Sequence, residues 1–130
     1  MSHEPTTISV LIVEDEALIR LDMADHLANQ GFRVFEASNA DEAIVILDAE
    51  PTISLLFTDV DMPGSMDGLK LSKAVRDRWP PVKIVVTSGK RLVEITEMPD
   101  GGVFFAKPYG PEAVVTSFRT LLGIETATGR

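Results

Sequence analysis

Five times along this chain a short apolar run is followed by a helical stretch, and four of the runs end at a charged or hydroxyl side chain. Ile8 to Val13 leads into Glu14 and Asp15. Ile53 to Thr58 leads into Asp59, Val82 to Val86 into Thr87, and Val103 to Ala106 into Lys107. Uninterrupted apolar runs suit strands covered on both faces. Strands alternating with helices over short connections pack as a doubly wound parallel sheet. In such a sheet the carboxyl ends of the strands line one crevice, where ligands bind. Residues distant in sequence should therefore converge there: a cluster of carboxylates, one further carboxylate, a hydroxyl and an ammonium. That set suits a phosphoryl group transferred to an aspartate beside a divalent cation.

The spacing predicts strands over residues 7–13, 32–36, 53–58, 82–87 and 103–106. A helix over 16–30 is stopped by Gly31, a residue favoured just past a helix end. A second runs from a Ser38 or Asn39 cap to about residue 49, with Asp41 and Glu42 at its positive end. A third covers 67–78 and is closed by Trp79-Pro80-Pro81. The last starts at Gly110-Pro111, and Val114, Val115, Phe118, Leu121 and Leu122 then recur at helical spacing. Residues 90–97 leave room for a short helix only, ahead of the turn-rich Met98-Pro99-Asp100-Gly101-Gly102. One domain is expected over 8–122, between an N-terminal tail of 1–7 and a C-terminal tail of 123–130.

Several function classes are disfavoured by composition. With no cysteine, disulfide frameworks and thiolate metal sites are excluded. The net charge of −8 argues against a broad basic surface for nucleic acid. No apolar run is long enough to span a bilayer, and Met1-Ser2-His3-Glu4-Pro5 lacks the features of a signal peptide. A cytoplasmic protein without a nucleic-acid or membrane partner is the expectation. His3 and His26 have no sequence neighbour that suggests catalysis.

Glu14, Asp15 and Glu16 in a row equally suit a solvated helix start, because acids favour that end of a helix. Asp59 changes the balance by bringing another carboxylate to the same edge. Like charges in one site are costly unless a cation neutralises them, and hard oxygen ligands suit Mg²⁺. Asp59 is the candidate nucleophile, since a carboxylate can attack phosphorus and form an aspartyl phosphate. The chain leaves the strand sharply through Val60-Asp61-Met62-Pro63, exposing the Asp59 side chain and the Asp61 carbonyl to the crevice. Phosphoryl transfer needs positioning and charge neutralisation. Lys107 can pair with one phosphoryl oxygen, and the Thr87 hydroxyl can bond another. Taken singly, Thr87 reads as a β-branched strand residue and Lys107 as a surface lysine; the joint pattern carries the argument.

The motifs Leu11-Ile12-Val13-Glu14-Asp15-Glu16, Asp59-Val60-Asp61-Met62-Pro63 with Asp67-Gly68, Val86-Thr87-Ser88-Gly89 and Ala106-Lys107-Pro108-Tyr109 resemble the receiver domain of two-component response regulators. The resemblance runs from about Ile8 to Leu122 and implies a five-stranded flavodoxin-like sheet in the order 2-1-3-4-5. It implies that Asp59 is the phosphoacceptor and that Asp15, Asp59 and the Asp61 carbonyl bind Mg²⁺, with Glu14 acting through a water. It also implies that Thr87 and Lys107 contact the phosphoryl group and that the bond before Pro108 is cis. By the same resemblance, a histidine kinase or phosphotransfer protein supplies the phosphoryl group. Thr87 then moves inward and the aromatic Phe105 rotates, altering a protein-binding surface on the fourth helix, fifth strand and last helix. A monomer or weak dimer that signals by binding, without turnover of a separate substrate, is expected. Two departures stand out. The turn Pro63-Gly64-Ser65-Met66-Asp67-Gly68 is one residue longer than the family's usual turn, and the stretch from Gly89 to Gly102 leaves the fourth helix stunted.

Alternatives remain at this stage. Asp59-Val60-Asp61 also mimics the two-aspartate motif of haloacid-dehalogenase-like phosphatases, although Met62, the late position of the strand and the small size fit poorly. An unphosphorylated interaction module, or a receiver fragment of a hybrid histidine kinase, are further readings. The first helix carries Leu18, Ile19, Leu21, Met23 and Leu27, more apolar residues than one core stripe needs. Either some face solvent near the site, where a kinase or phosphotransfer helix can dock, or the helix is deeply covered; the sequence does not choose between these.

Overall fold

The apolar runs form five parallel strands: β1 (Ser9–Val13), β2 (Arg33–Ala37), β3 (Ile53–Asp59), β4 (Lys83–Ser88) and β5 (Val103–Ala106). They lie side by side in the order β2-β1-β3-β4-β5, as expected for a flavodoxin-like sheet. This computed structural model describes residues 7–90 and 93–124. Most of both expected tails, and two residues of the 90–97 stretch, lie outside the described residues. Four α-helices are described: α1 (Ala17–Asn29), α2 (Ala40–Ala49), α3 (Gly68–Arg78) and α4 (Pro111–Leu122).

Alternation along the strands divides the core into two layers. Val10, Ile12, Leu55, Phe57 and Val85 point to one face, where Met23 and Leu27 of α1 and Val114 and Phe118 of α4 cover them. The Phe118 ring packs edge-to-face on Phe57 and Phe32, with centroids 5.5 and 5.9 Å away. Leu11, Val13, Leu56, Ile84 and Val86 point to the other face, under Ala43 and Leu47 of α2 and Leu71 and Val75 of α3. Each large side chain fully buried in this way stabilises the fold by roughly 1.5–3 kcal/mol.

Local chemistry sets the helix ends. The Asn39 side chain accepts from the Glu42 amide at 2.9 Å, and the Asp67 side chain from the Lys70 amide at 2.9 Å. Each satisfies a backbone donor that the first helical turn leaves unpaired. Gly123 closes α4 at φ +71°, in the left-handed region.

Between β4 and β5 the described residues hold one 3-10 turn, Ile95–Glu97, where a short helix had room to form. Pro99, Gly101 and Gly102 break any helical continuation, and Gly101 sits at φ +77°. Arg76 of α3 ties this segment down, donating to the Asp100 carbonyl at 3.0 Å and to the Pro80 carbonyl at 2.6 Å. Met98 and Val93 pack against the core from this segment in place of a helix.

Candidate functional site

The strand pleat carries the layer of α1 and α4 directly into the site. Val10 and Ile12 precede Glu14 by two-residue steps, Leu55 and Phe57 precede Asp59, Val85 precedes Thr87, and Val103 and Phe105 precede Lys107. Register completes the alignment: Val13 pairs with Thr58, Asp59 with Thr87, and Thr87 with Phe105. Backbone bonds fasten the strand ends, from the Glu14 amide to the Ala37 carbonyl (3.0 Å), from Val60 to Thr87 (2.8 Å) and from Lys107 to Ser88 (2.9 Å). Glu14, Asp59, Thr87 and Lys107 thus gather from four strand ends at one edge of the sheet.

The Lys107 ammonium lies 2.8 Å from Glu14 Oε1 and 3.3 Å from Asp59 Oδ2. Carboxylate oxygens of Glu14, Asp15 and Asp59 lie within 4.8 Å of one another. Glu14 and Asp59 are buried, whereas Asp15 is exposed and borders solvent. Burial first, and the Glu14 charge second, push the Asp59 carboxyl from 3.8 up to about 6 despite Lys107 and the Asp61 amide beside it. For Lys107, burial works against the ammonium, but the Glu14 hydrogen bond and the nearby charges outweigh it and hold the group above the usual lysine range. Two buried acids with one shared ammonium leave excess negative charge beside a third acid. Oxygen donors at this spacing fit a hard divalent cation.

Thr87 is 3% exposed, and its hydroxyl has no hydrogen-bond partner among the described residues. It lines a cavity of about 10 Å³ together with Glu14, Asp59 and Tyr109. A buried hydroxyl without a partner is uncommon and calls for an explanation; an oxygen-rich group on Asp59 would supply an acceptor. Tyr109 packs edge-to-face on Phe57 at 5.4 Å, and burial first pushes its phenol up to about 12. The peptide bond between Lys107 and Pro108 is cis, as the resemblance implied.

Comparison with known proteins agrees with this geometry. The family model of the response regulator receiver domain matches residues 10–119. The chain belongs to the receiver domain family of response regulators. It is 33% identical to the hydrogenase transcriptional regulatory protein HoxA of Cupriavidus necator, over 92% of this chain and 24% of that protein. It is 30% identical to the chemotaxis protein CheY1 of Helicobacter pylori, over 89% of this chain and 98% of that protein. A response regulator receiver protein of Sinorhizobium medicae superposes with a TM-score of 0.84 at 26% identity, covering 90% of this chain and 95% of that one. The receiver domain therefore spans less than a quarter of the first of these relatives and nearly all of the second.

Other residues of this receiver domain shape the site without having been singled out individually from sequence. Arg20 of α1 reaches back to donate to the Glu14 carbonyl at 2.8 Å and pairs with Glu36 at 3.1 Å, bracing the turn that carries the acids. A Cβ at Gly68 would stand 1.9 Å from the Asp59 carbonyl oxygen, so only glycine lets α3 begin against the end of β3. The Ser88 hydroxyl donates to Asp61 Oδ2 at 2.7 Å. The signal for Gly68 was present in Asp67-Gly68 at a helix start; nothing in the sequence singled out Arg20. The long turn is accommodated by Gly64 at φ +112° and by Ser65, which donates to Asp41 at 2.7 Å.

Phe105 lies beside Thr87 on β5, half-buried, and packs on the α1/α4 layer. Beside the site opens a groove of about 920 Å³ whose lining includes Leu18, Leu21, Asp22, Lys107, Pro108 and Tyr109. Leu18 is 84% and Leu21 53% exposed, while Met23 and Leu27 are buried, so α1 divides its apolar residues between groove and core. No described helix is long and apolar enough to cross a membrane.

Proposed function

We propose that this receiver domain accepts a phosphoryl group on Asp59 from a histidine kinase or phosphotransfer protein in two-component signalling. The observation that carries the reading is the Lys107 ammonium held between Glu14 and Asp59, with the unpartnered Thr87 hydroxyl lining the same pocket. An Asp59 carboxylate oxygen bonds to phosphorus as the P–N bond of a phosphohistidine breaks and its electron pair returns to the imidazole nitrogen. Asp15, Asp59 and the Asp61 carbonyl would hold Mg²⁺, with Glu14 one water further out. When bound, the cation supplies positive charge against the carboxylates and the phosphoryl oxygens. Lys107 neutralises one oxygen of the transferred group, and Thr87 donates its hydroxyl to another.

The modification adds about −1.5 to −2 charges at Asp59. Thr87 then moves toward the phosphoryl oxygen and Phe105 fills the space it leaves, shifting the surface of β5 and α4. Phe105 has no hydroxyl, so this switch works through packing alone. Leu18 and Leu21 supply an apolar seat for a helix of the phosphodonor protein beside Asp59. In this reading the protein is a cytoplasmic regulator, monomeric or weakly dimeric, that turns over no separate substrate and signals by binding a target protein.

Labelling with acetyl phosphate or phosphoramidate in the presence of Mg²⁺ tests the reading. Stoichiometric, Mg²⁺-dependent phosphorylation that Asp59→Asn abolishes is the expected result. Failure of the wild type to take up phosphate would leave the chain an unphosphorylated interaction module, and continuous hydrolysis of a phosphate ester would point to a phosphatase.

A further inference from the structure

Four acids border the Asp59 pocket, yet only three turn their carboxylates into it. Glu14, Asp15 and Asp59 converge within 4.8 Å, whereas the Asp61 carboxylate is engaged elsewhere, with its Oδ2 accepting from Ser88 Oγ at 2.7 Å. Thr87 and Ser88 are consecutive residues of β4, so their side chains leave opposite faces of the sheet. Thr87 follows the layer of α1 and α4, where Asp59 and Lys107 lie; Ser88 follows the opposite layer. Ser88 is 1% exposed, and its oxygen also receives the Lys90 amide at 3.3 Å, which fixes the hydroxyl.

We infer that Ser88 is a positioning residue that holds the Asp61 carboxylate away from the cation and the phosphoryl group. The inference rests on the metal-dependent phosphoacceptor reading of the site. Asp61 offers its backbone carbonyl to the cation under that reading, and its amide donates to Asp59 Oδ1 at 3.3 Å, so its side chain is anchored beside the pocket. Swung inward, it would add a fourth carboxylate to a pocket with one ammonium. A hard cation would bind more tightly, because affinity follows the charge and number of its oxygen ligands. An incoming phosphoryl group would be repelled. The hydroxyl thus sets the balance between holding the metal and admitting an anion.

Isothermal titration of Mg²⁺ and Ca²⁺ into the metal-free protein tests this in the wild type, Ser88→Ala, Asp61→Asn and the double variant. Ser88→Ala should bind Mg²⁺ roughly fivefold more tightly, the size expected for one more carboxylate in a partly wet pocket. Ca²⁺ should gain more, because it accepts more oxygen ligands than Mg²⁺. In the Asp61→Asn background the same serine substitution should change neither affinity. Ser88→Cys, a weaker donor of similar size, carries the test if the alanine variant does not fold. Equal affinities in wild type and Ser88→Ala, or a gain that persists in Asp61→Asn, would overturn the inference and leave the phosphoacceptor reading intact. Absence of Mg²⁺ binding by the wild type would instead overturn the metal site beneath both.

Discussion

In metal-free protein, replacing Asp59 by Asn should stabilise the fold at neutral pH and do little at acid pH. Asp59 is 3% exposed, and its carboxyl rises from 3.8 to about 6, first through burial and then through Glu14. A carboxyl whose value is higher in the folded state binds its proton more tightly there. The folded state therefore carries no penalty below about pH 4, and loses stability as pH rises from there through about 6. Above that window the ionised side chain costs about 3 kcal/mol. Asn keeps the shape and removes the charge. Urea unfolding followed by circular dichroism, in EDTA at pH 4, 6 and 7.5, should show Asp59→Asn more stable by about 2–3 kcal/mol at pH 7.5. The gain should shrink toward zero at pH 4. Added Mg²⁺ should stabilise the wild type and narrow the difference, since a ligand of the folded state raises its stability. A variant that is no more stable at pH 7.5, or equally favoured at all three pH values, would refute the account of Asp59 as a buried, repelled charge.

Three further outcomes follow from the same geometry. Thr87→Val should leave the unphosphorylated protein as stable or about 1 kcal/mol more stable, because it removes a buried hydroxyl without a partner; phosphorylated Thr87→Val should lose binding to the target protein, read in a pull-down. Gly68→Ala should destabilise by at least about 2 kcal/mol in thermal melts, since backbone must shift to admit the methyl group. Trp79, at the far end of α3 with the Arg78 guanidinium 4.3 Å from its ring centroid, should change its fluorescence little on Mg²⁺ addition; strong quenching would contradict its placement.

The gathering of the site was legible because it follows from a two-residue period on parallel strands, whereas the sheet order came only from the resemblance to the receiver family. Once Val10-Ile12-Glu14 and Leu55-Phe57-Asp59 are laid on parallel strands, their acids must meet. Residues that act through backbone were harder to read. Nothing in Ala17-Leu18-Ile19-Arg20 says that Arg20 bends back to the Glu14 carbonyl, since that bond depends on the turn between β1 and α1. Ser88 stood in a recognised motif, but its bond to Asp61 joins residues 27 apart through the exit turn of β3. The segment after β4 read as short on room, and proline with paired glycines decided between a helix and a 3-10 turn.

That substitution leaves β5 as a four-residue margin with half-covered side chains, paired to the sheet on its β4 side and connected to it in sequence through the 3-10 segment. Lys107, the ammonium shared by Glu14 and Asp59, is carried one residue beyond this margin. Any fraying there withdraws the countercharge first, so the electrostatics of the pocket are set by the least supported edge of the sheet. Amide exchange along Phe104 to Lys107 would then track the state of Asp59 more closely than exchange anywhere in β1.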